Sequence, residues 1–394
     1  MKTTRAIAMG LTLASTNVLA LPVSDPAAEA TVHEIVENNQ SANVVAADKQ
    51  VQGMNAFLGD EVNSMKNTNP APKDTIYPKR SEKDAPYSMS EEELRSKIYF
   101  PKTFSMTSGK QPIILVPGTA AMAGSTFRAN LGPLLAKSDF ADPLWVNIPE
   151  ASLGDAQENS EYVAYAMNYV QSMTGKKAAV AAWSQGNLNV QWAMKYWPST
   201  RETVTDFVSF SPDFHGTTEA FLACDTAAAL IGCTPSVYQQ KYDSKFVATL
   251  RAGGGDSAYG KSFPTTSIFS ATDEVVQPQA GPKASAFLKD GSGAQATNIE
   301  VQKACPGTPA GGEVTHEGML YNSLAFALLE DAMKNEGPAK LDRIDKKVCL
   351  DPAAGKMDKA EITATEGVLG QAGANVLKYP YKVKFEPKIK AYAK

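Results

Sequence analysis

Short runs of apolar residues recur along the chain, and segments with helical spacing of apolar positions lie between them. Each run is four to six residues long, as is typical of strands that are buried on both faces of a parallel sheet. We therefore predict strands at residues 112–116, 144–148, 177–182, 207–210 and 267–271. Residues 299–302 alternate between apolar and polar side chains, which predicts a further strand at an edge of the sheet.

Helices are predicted between these strands. Apolar residues from Tyr162 to Met173 recur at helical spacing, and Gly175 follows them as a stop signal. Further helices are predicted at residues 188–196, 320–329 and 359–377. Strands that alternate with helices predict an α/β fold, with a mostly parallel sheet covered by helices on both faces.

The C-terminal residues Lys382, Val383, Lys384 and Phe385 alternate between basic and apolar side chains. This alternation predicts a strand with one basic face. Such a face protects an exposed sheet edge from pairing with other chains, and we prefer this interpretation to a membrane-binding patch.

The first 80 residues have the character of processing segments. Residues 1–20 combine a charged start, a short apolar core and small residues at the end, which predicts a secretory signal peptide. Residues 21–80 show little sustained apolar period and end in the dibasic pair Lys79-Arg80. We therefore predict a pro-peptide that is removed after Arg80, and residues 81–394 are long enough to form one α/β domain.

The composition narrows the choice of function. The 394 residues carry a formal net charge of −4, which gives no electrostatic basis for binding nucleic acid. The apolar core of the predicted signal peptide is too short to span a bilayer, and no other apolar run reaches that length. We therefore expect an extracellular protein that is released rather than anchored.

Four cysteines in a chain that is predicted to be secreted indicate two disulfides. Three pairings can be drawn, and local loop closure favours Cys224–Cys233 and Cys305–Cys349. No C-x-x-C pair with the accompanying histidine spacing occurs in the sequence, which argues against a zinc site.

A candidate nucleophile lies in the sequence Ala182-Trp183-Ser184-Gln185-Gly186, between a predicted strand and a predicted helix. A serine on such a tight turn resembles the nucleophile elbow of α/β-hydrolases, in which the turn exposes the hydroxyl and small flanking residues let strand and helix approach closely. The pentapeptide departs from G-x-S-x-G at Ala182. Because so short a pattern often occurs by chance, the assignment needs catalytic partners.

A serine hydroxyl needs an adjacent base, and the base needs an acid to orient it. In α/β-hydrolases the chain order is serine, acid, histidine. His33 falls in the predicted pro-peptide and His215 precedes any later acid, so His316 is the candidate base. The acid should follow a strand beyond the elbow. Asp273 meets this condition, and Asp213 is the runner-up.

The oxyanion of the reaction requires hydrogen-bond donors from two places, the amide after the nucleophile and an early strand's loop. Gln185 supplies the first amide. Thr119 follows the predicted strand at residues 112–116 and can contribute both its amide and its hydroxyl. The alternative is that Pro117-Gly118 forms a plain turn.

Five longer strings of residues surround these candidates. They are residues 112–119 (PIILVPGT), 183–186 (WSQG), 211–217 (SPDFHGT), 235–240 (PSVYQQ) and 270–279 (SATDEVVQPQ). Together they resemble the Candida antarctica lipase B family of secreted fungal lipases. The resemblance extends over residues 110–330 and continues more faintly to the C-terminus.

The resemblance implies an α/β-hydrolase fold and assigns a role to each candidate. Ser184, Asp273 and His316 match the family's triad, and Thr119 and Gln185 match its oxyanion donors. Trp183 matches the tryptophan that forms the floor of the family's alcohol pocket. Asp213 and Gln240 match two polar residues beside its acyl channel, and Cys305–Cys349 matches one family disulfide.

Two features depart from the family pattern. Cys224 and Cys233 bracket a segment that in the family forms a short mobile helix over the pocket, so a disulfide there would restrict lid motion. Asn187 stands where the family has a second glycine after the elbow.

We therefore predict a secreted serine hydrolase of carboxylic esters, with acylglycerols as the preferred substrates. It needs no metal or organic cofactor, is expected to be a monomer, and is compatible with contact at a lipid–water interface. Acyl transfer to an alcohol or amine and a short-chain carboxylesterase activity are the enzymatic alternatives. The non-enzymatic alternative is a hydrolase-fold binding protein without catalysis.

Overall fold

A computed structural model describes residues 42–227, 231–254, 264–289 and 295–394. The predicted signal peptide and His33 lie outside these residues. Within the described ranges one mostly parallel sheet contains seven strands. They are β1 (Ile98–Tyr99), β2 (Gln111–Val116), β3 (Ala141–Val146), β4 (Ala178–Trp183), β5 (Val204–Phe210), β6 (Thr265–Phe269) and β7 (Ala296–Glu300).

The strand order is β1-β3-β2-β4-β5-β6-β7. Strand β1 runs antiparallel to β3, and every other neighbouring pair is parallel. The prediction of a mostly parallel α/β sheet is confirmed. A strand lies at the edge next to β6 as predicted, but it covers residues 296–300 rather than 299–302, because residues 301–304 are helical.

Helices connect the strands. They are α1 (Ala42–Met54), α2 (Glu91–Ser96), α3 (Ala123–Phe127), α4 (Leu131–Lys137), α5 (Ala156–Thr174), α6 (Gly186–Tyr196), α7 (Thr218–Leu222), α8 (Pro235–Gln239), α9 (Lys245–Arg251), α10 (Val301–Ala304), α11 (Ser323–Lys334) and α12 (Lys359–Lys378). The predicted stop of α5 is confirmed, because Gly175 adopts a left-handed φ of 71°. None of the helices in the described ranges has both the length and the apolar character needed to cross a membrane.

The sheet is buried on both faces. Ile114 and Val116 of β2 pack into one core layer with α5 and α6. Ile113 and Leu115 of the same strand pack into the opposite layer with α11. This explains why the central strands read as continuous apolar runs rather than as alternating patterns.

The C-terminal residues do not form the predicted strand, and the interpretation as a guarded sheet edge is wrong. The edges of the sheet are β1 and β7. Residues 382–385 instead lie against helices α8 and α9, where Val383 pairs with Cys233 in an isolated antiparallel bridge. The Glu386 carboxylate accepts hydrogen bonds from the backbone N–H groups of Lys245 and Phe246 at the start of α9.

The last residues of the chain are also docked. The Tyr392 ring packs edge-on against Trp197 and Tyr196, with ring centroids 5.5 and 5.3 Å apart. Its hydroxyl accepts a hydrogen bond from Trp192 Nε1 at 3.1 Å. The C-terminus is thereby held on the outer side of helix α6.

Both disulfides predicted from local loop closure are present. Cys224 is bonded to Cys233, and Cys305 is bonded to Cys349. The first closes the loop that joins α7 to α8, and the second ties α10 to the segment that follows α11.

Candidate active site

The candidate residues converge at the carboxyl ends of the parallel strands. Ser184 directly follows β4, Thr119 follows β2, and Asp273 follows β6. His316 lies on the loop between α10 and α11. Because parallel strands end at the same edge of the sheet, side chains from distant parts of the sequence meet there.

Ser184 occupies a strained turn. It is one of the few non-glycine residues with a left-handed φ, 54°, and its side chain is 5% exposed. The turn depends on close backbone approach at two glycines. A Cβ on Gly186 would lie 2.6 Å from the Pro117 carbonyl oxygen, and a Cβ on Gly118 would lie 2.7 Å from the Ser184 Cβ.

Asn187 has a defined role in this turn. Its side-chain amide donates to the carbonyl oxygens of Ser184 at 2.9 Å and Phe210 at 3.2 Å. The hydrogen bonds join the first turn of α6 to the end of β5. Asn187 therefore clamps the elbow in a way that a glycine at this position does not.

The candidate base and acid contact each other directly. His316 Nδ1 lies 2.8 Å from Asp273 Oδ2, and both side chains are buried. The other oxygen, Asp273 Oδ1, accepts hydrogen bonds from the backbone N–H groups of Val275 and Val276 at 2.9 and 2.8 Å. These contacts fix the carboxylate, and the imidazole is left with Nε2 as its second functional nitrogen. No hydrogen bond to this buried Nε2 is made by the residues that the structure describes.

The backbone of His316 is held as firmly as its ring. Trp183 Nε1 and Ser211 Oγ each donate to the His316 carbonyl oxygen at 3.0 Å. The Trp183 and His316 rings also pack together, with centroids 5.0 Å apart. The residue before the elbow serine therefore positions the base that would activate it.

Opposing effects set the pKa of His316. Burial alone would lower it, but the carboxylates of Asp273, Glu274 and Asp213 together outweigh burial, and the pKa is raised above its ordinary value. A positive charge on the imidazole is therefore stabilised in this site, as general-base catalysis requires once the ring has accepted a proton.

The candidate oxyanion donors belong to one buried hydrogen-bond network. The Thr119 hydroxyl donates to Gln240 Oε1 at 2.8 Å, and Gln240 Nε2 donates to Gln185 Oε1 at 3.1 Å. Gln185 Nε2 in turn donates to the Ser152 carbonyl oxygen. The backbone N–H of Gln185 lies at the N-terminus of α6, where N–H groups have no partner within the helix. One well-placed donor of this kind is worth roughly 2.7–4 kcal/mol in the transition state.

Two known proteins are similar to this chain over most of its length. Lipase B of Pseudozyma (Candida) antarctica is 31% identical over 294 residues, which are 74% of this chain and 81% of that protein. The chain belongs to the lipase B family. The crystal structure of Aspergillus fumigatus lipase B superposes with a TM-score of 0.80 at 47% identity and covers 86% of this chain and 80% of that one. No family model matches the chain.

Family membership confirms the resemblance that the sequence strings indicated, and with it the α/β-hydrolase fold. The alternative partners take other contacts in this lipase B family member. His215 Nδ1 lies 2.8 Å from the Ser285 carbonyl oxygen. Asp213, the alternative acid, does not contact His316 Nδ1, which Asp273 occupies.

Asp213 is nevertheless part of the electrostatic environment of the site. It is fully buried, and neither carboxyl oxygen forms a hydrogen bond with the residues that the structure describes. Burial raises its pKa to about 7. Near neutral pH Asp213 is therefore partly protonated, and its protonated form can donate a hydrogen bond to a neutral acceptor.

Two further carboxylates, for which the sequence predicted no role, lie near His316. Glu274 accepts a hydrogen bond from the His316 backbone N–H at 3.2 Å. Glu317 is buried, and its Oε2 makes no hydrogen bond within the described ranges. Burial, together with the charges of Glu274 and Glu366, raises the pKa of Glu317 well above its ordinary value. Only the adjacency of both residues to triad candidates hinted at a role.

We expect the Glu317→Gln variant to unfold at a higher temperature than the unmodified protein near pH 7, with the difference vanishing near pH 4. An unfolded glutamate ionises near pH 4.3, whereas the folded protein keeps the proton to higher pH. The folded state then binds more protons than the unfolded state, so the free energy of unfolding falls as pH rises, by at most about 1.4 kcal/mol per pH unit. Glutamine does not ionise, so the free energy of unfolding of the variant does not fall for this reason.

Thermal unfolding between pH 4 and pH 8 measures the effect. The matched control is Glu336→Gln, because Glu336 is an exposed glutamate. Identical pH profiles of Tm for Glu317→Gln and the unmodified protein would show that ionisation of Glu317 does not destabilise the folded protein.

Proposed function

We propose that the protein hydrolyses carboxylic esters through an acyl-enzyme on Ser184, with acylglycerols as the physiological substrate class. The contact of 2.8 Å between His316 Nδ1 and Asp273 Oδ2, at the same sheet edge as an elbow serine, carries this proposal. The names of the two lipases to which the chain is similar support the same reaction class.

In the proposed mechanism neutral His316 takes the proton from the Ser184 hydroxyl through Nε2 as the serine oxygen attacks the ester carbonyl. Asp273 holds the Nδ1 tautomer and stabilises the imidazolium. The Gln185 amide and Thr119 bind the negative oxygen of the tetrahedral intermediate. The imidazolium then protonates the leaving alcohol, and an acyl-enzyme remains. His316 next takes a proton from water as the water oxygen attacks the acyl carbonyl. The imidazolium then returns this proton to Ser184 Oγ as the bond between Oγ and the acyl carbon breaks, which releases the acid and regenerates the free serine.

Thr119 must exchange a hydrogen bond to take part with its hydroxyl. Its single O–H proton is donated to Gln240 Oε1. Binding an oxyanion with this hydroxyl therefore requires rotation away from Gln240, whereas the Thr119 backbone N–H needs no such exchange. Gln240 thus regulates how readily one oxyanion donor becomes available.

A lipid–water interface is the proposed place of action, and the protein is proposed to be a secreted monomer. Two disulfides are consistent with an oxidising compartment. Several large apolar side chains are exposed at the end of α7, on the disulfide-closed loop and on the C-terminal segment, and the Cys233–Val383 bridge joins the loop to that segment. They are Leu222, Ile231, Tyr381 and Phe385.

Rates on p-nitrophenyl esters of increasing acyl length and on emulsified triglyceride test the substrate class. We expect hydrolysis of long-chain esters and of the emulsion. The Phe385→Ser change should lower the rate on the emulsion more than it lowers the rate on a soluble ester. Phe385 is 83% exposed beside the loop, and Leu350, 64% exposed next to Cys349, provides the control Leu350→Ser. Activity confined to short soluble esters would instead assign a carboxylesterase.

A further inference from the structure

The segment before Lys79-Arg80 is an ordered part of the fold. Residues 42–78 begin with helix α1 and lead into the catalytic domain, residues 81–394. No sustained apolar period is visible in the sequence here because the buried positions are widely spaced. Four of them are completely or almost completely buried, namely Val51, Leu58, Val62 and Ile76.

Three of these side chains belong to the two large cores of the catalytic domain. Leu58 and Val62 pack in the layer that contains Leu115, Phe127 and Trp145. Ile76 packs in the opposite layer. The segment therefore contributes to both faces of the sheet.

Backbone carbonyl groups of the segment satisfy buried donors of the catalytic domain. The Val62 carbonyl oxygen accepts from Trp145 Nε1 at 2.8 Å and from Asn147 Nδ2 at 3.0 Å. The Leu58 carbonyl oxygen accepts from the Tyr99 hydroxyl at 2.9 Å. Loss of the segment would leave these donors without their partners at the β1 end of the sheet.

The fit is also steric. A Cβ on Gly124 of helix α3 would lie 2.3 Å from the Val62 carbonyl oxygen, so this glycine accommodates the segment. Asn63 and Ser125 exchange hydrogen bonds across the same contact, at 2.7 and 2.9 Å. A surface that had only a transient partner would not require such close backbone contact.

Helix α1 connects the segment to the active site through α12. Val51 packs with Ala364 of α12 in a small core of their own. Farther along α12, Asn375 Nδ2 donates to the carbonyl oxygen of Ala120, the neighbour of Thr119, at 2.8 Å. The Thr315 hydroxyl, next to His316, donates to the Glu366 carboxylate on α12 at 3.4 Å.

The comparison with Aspergillus fumigatus lipase B provides an independent observation. That crystal structure covers 86% of this chain. Residues 81–394 alone make up only about four fifths of this chain. The aligned region must therefore extend into the segment before Lys79-Arg80.

From these contacts we infer that residues 42–78 are a permanent subunit of the active enzyme. Hydrolysis of the Arg80–Ser81 peptide bond adds one water, creates a carboxylate on Arg80 and an amino group on Ser81, and leaves the segment bound without a covalent link. The retained segment holds α12 against the loops that carry Thr119 and His316. The inference rests on packing and does not depend on the proposed function.

The test cuts the purified full-length protein after Arg80 with a dibasic-specific endoprotease. If that bond resists, a site for a sequence-specific protease inserted between Arg80 and Ser81 provides the same cut. We expect both fragments to co-elute in equal amounts in native size-exclusion chromatography, as identified by mass spectrometry. After separation in denaturant and refolding, the larger fragment alone should have a lower Tm. Its ester-hydrolysis rate should fall, by up to about 10²-fold if the catalytic loops shift by an ångström, and addition of the segment should restore both.

Two substitutions on different faces of α1, one buried and one exposed, provide a matched control. Val51→Asp should lower the Tm of the cut protein and release the segment in part, because Val51 is wholly buried. Val45→Asp should change neither, because Val45 is 41% exposed on the same helix. If Val51→Asp does not fold, the milder Val51→Ala should still lower the Tm.

A segment that elutes separately, while the larger fragment keeps its Tm, would overturn the inference. Co-elution and Tm are measured without substrate, so they still test the retention of the segment if the proposed ester chemistry fails. Conversely, loss of the segment would leave the assignment of Ser184 untouched.

Discussion

Replacement of Ser184 by alanine should lower ester hydrolysis on the order of 10⁶-fold, by analogy with other serine hydrolases. The change removes the one hydroxyl on the left-handed turn at the end of β4 and leaves the elbow contacts of Gly118, Gly186 and Asn187 in place. We therefore expect a folded protein with an unchanged Tm. The measurements are initial rates on a soluble p-nitrophenyl ester and covalent labelling by a fluorophosphonate.

Ser209→Ala is the matched control for this experiment. Ser209 is fully buried on the neighbouring strand β5, and its hydroxyl makes no hydrogen bond to the described residues. Activity and labelling should persist in this variant. Ester cleavage that survives Ser184→Ala would assign the nucleophile to another residue, and a protein that the fluorophosphonate never labels would favour the non-enzymatic alternative.

Replacement of Asp273 by asparagine should lower the rate about 10⁴-fold, as the corresponding change does in other serine hydrolases. Asp273 Oδ2 accepts the Nδ1 proton of His316, whereas an asparagine amide can donate to Nδ1 and stabilise the wrong tautomer. The carboxylate also raises the pKa of His316. Because catalysis needs a neutral imidazole, the rising limb of the pH–rate profile should move to lower pH in the variant.

Asp206→Asn tests whether any buried aspartate would give this result. Asp206 lies on β5, and burial raises its pKa to about 6. We expect this variant to keep its activity and its rising limb. A loss of activity in Asp273→Asn without any movement of the limb would indicate a structural role for Asp273 rather than control of the imidazole.

The sheet could be predicted from the sequence because a strand that is buried on both faces has consecutive apolar residues. The runs that became β2 and β4 are continuous and apolar, whereas β6 is more polar, and a site candidate follows each of the three strands. In a parallel sheet the residues that follow the strands lie at the edge where the site forms. The position of a strand and the placement of a catalytic residue therefore share one signal.

The missed features have weaker signals for physical reasons. Among residues 43–54 of helix α1 the buried side chains are Ala47 and Val51, so its amphipathic period is faint. The charges of Glu274 and Glu366 that act on Glu317, and the Phe210 carbonyl that Asn187 reaches, lie far from these residues in the sequence. The C-terminal alternation failed as a strand signal because period-two patterns also arise where an extended segment lies on helices. Backbone groups such as the Val62 carbonyl carry no side-chain pattern at all.

Docking of the Tyr392 ring has a consequence for proteolysis. An endoprotease binds several residues of extended, detached chain in its cleft before it cuts. The Tyr392 ring packs on Trp197, and its hydroxyl accepts a hydrogen bond from Trp192 Nε1. Cleavage near Tyr392 should therefore wait until this segment detaches, which makes the rate of cleavage by an added protease a direct measure of how often the segment opens.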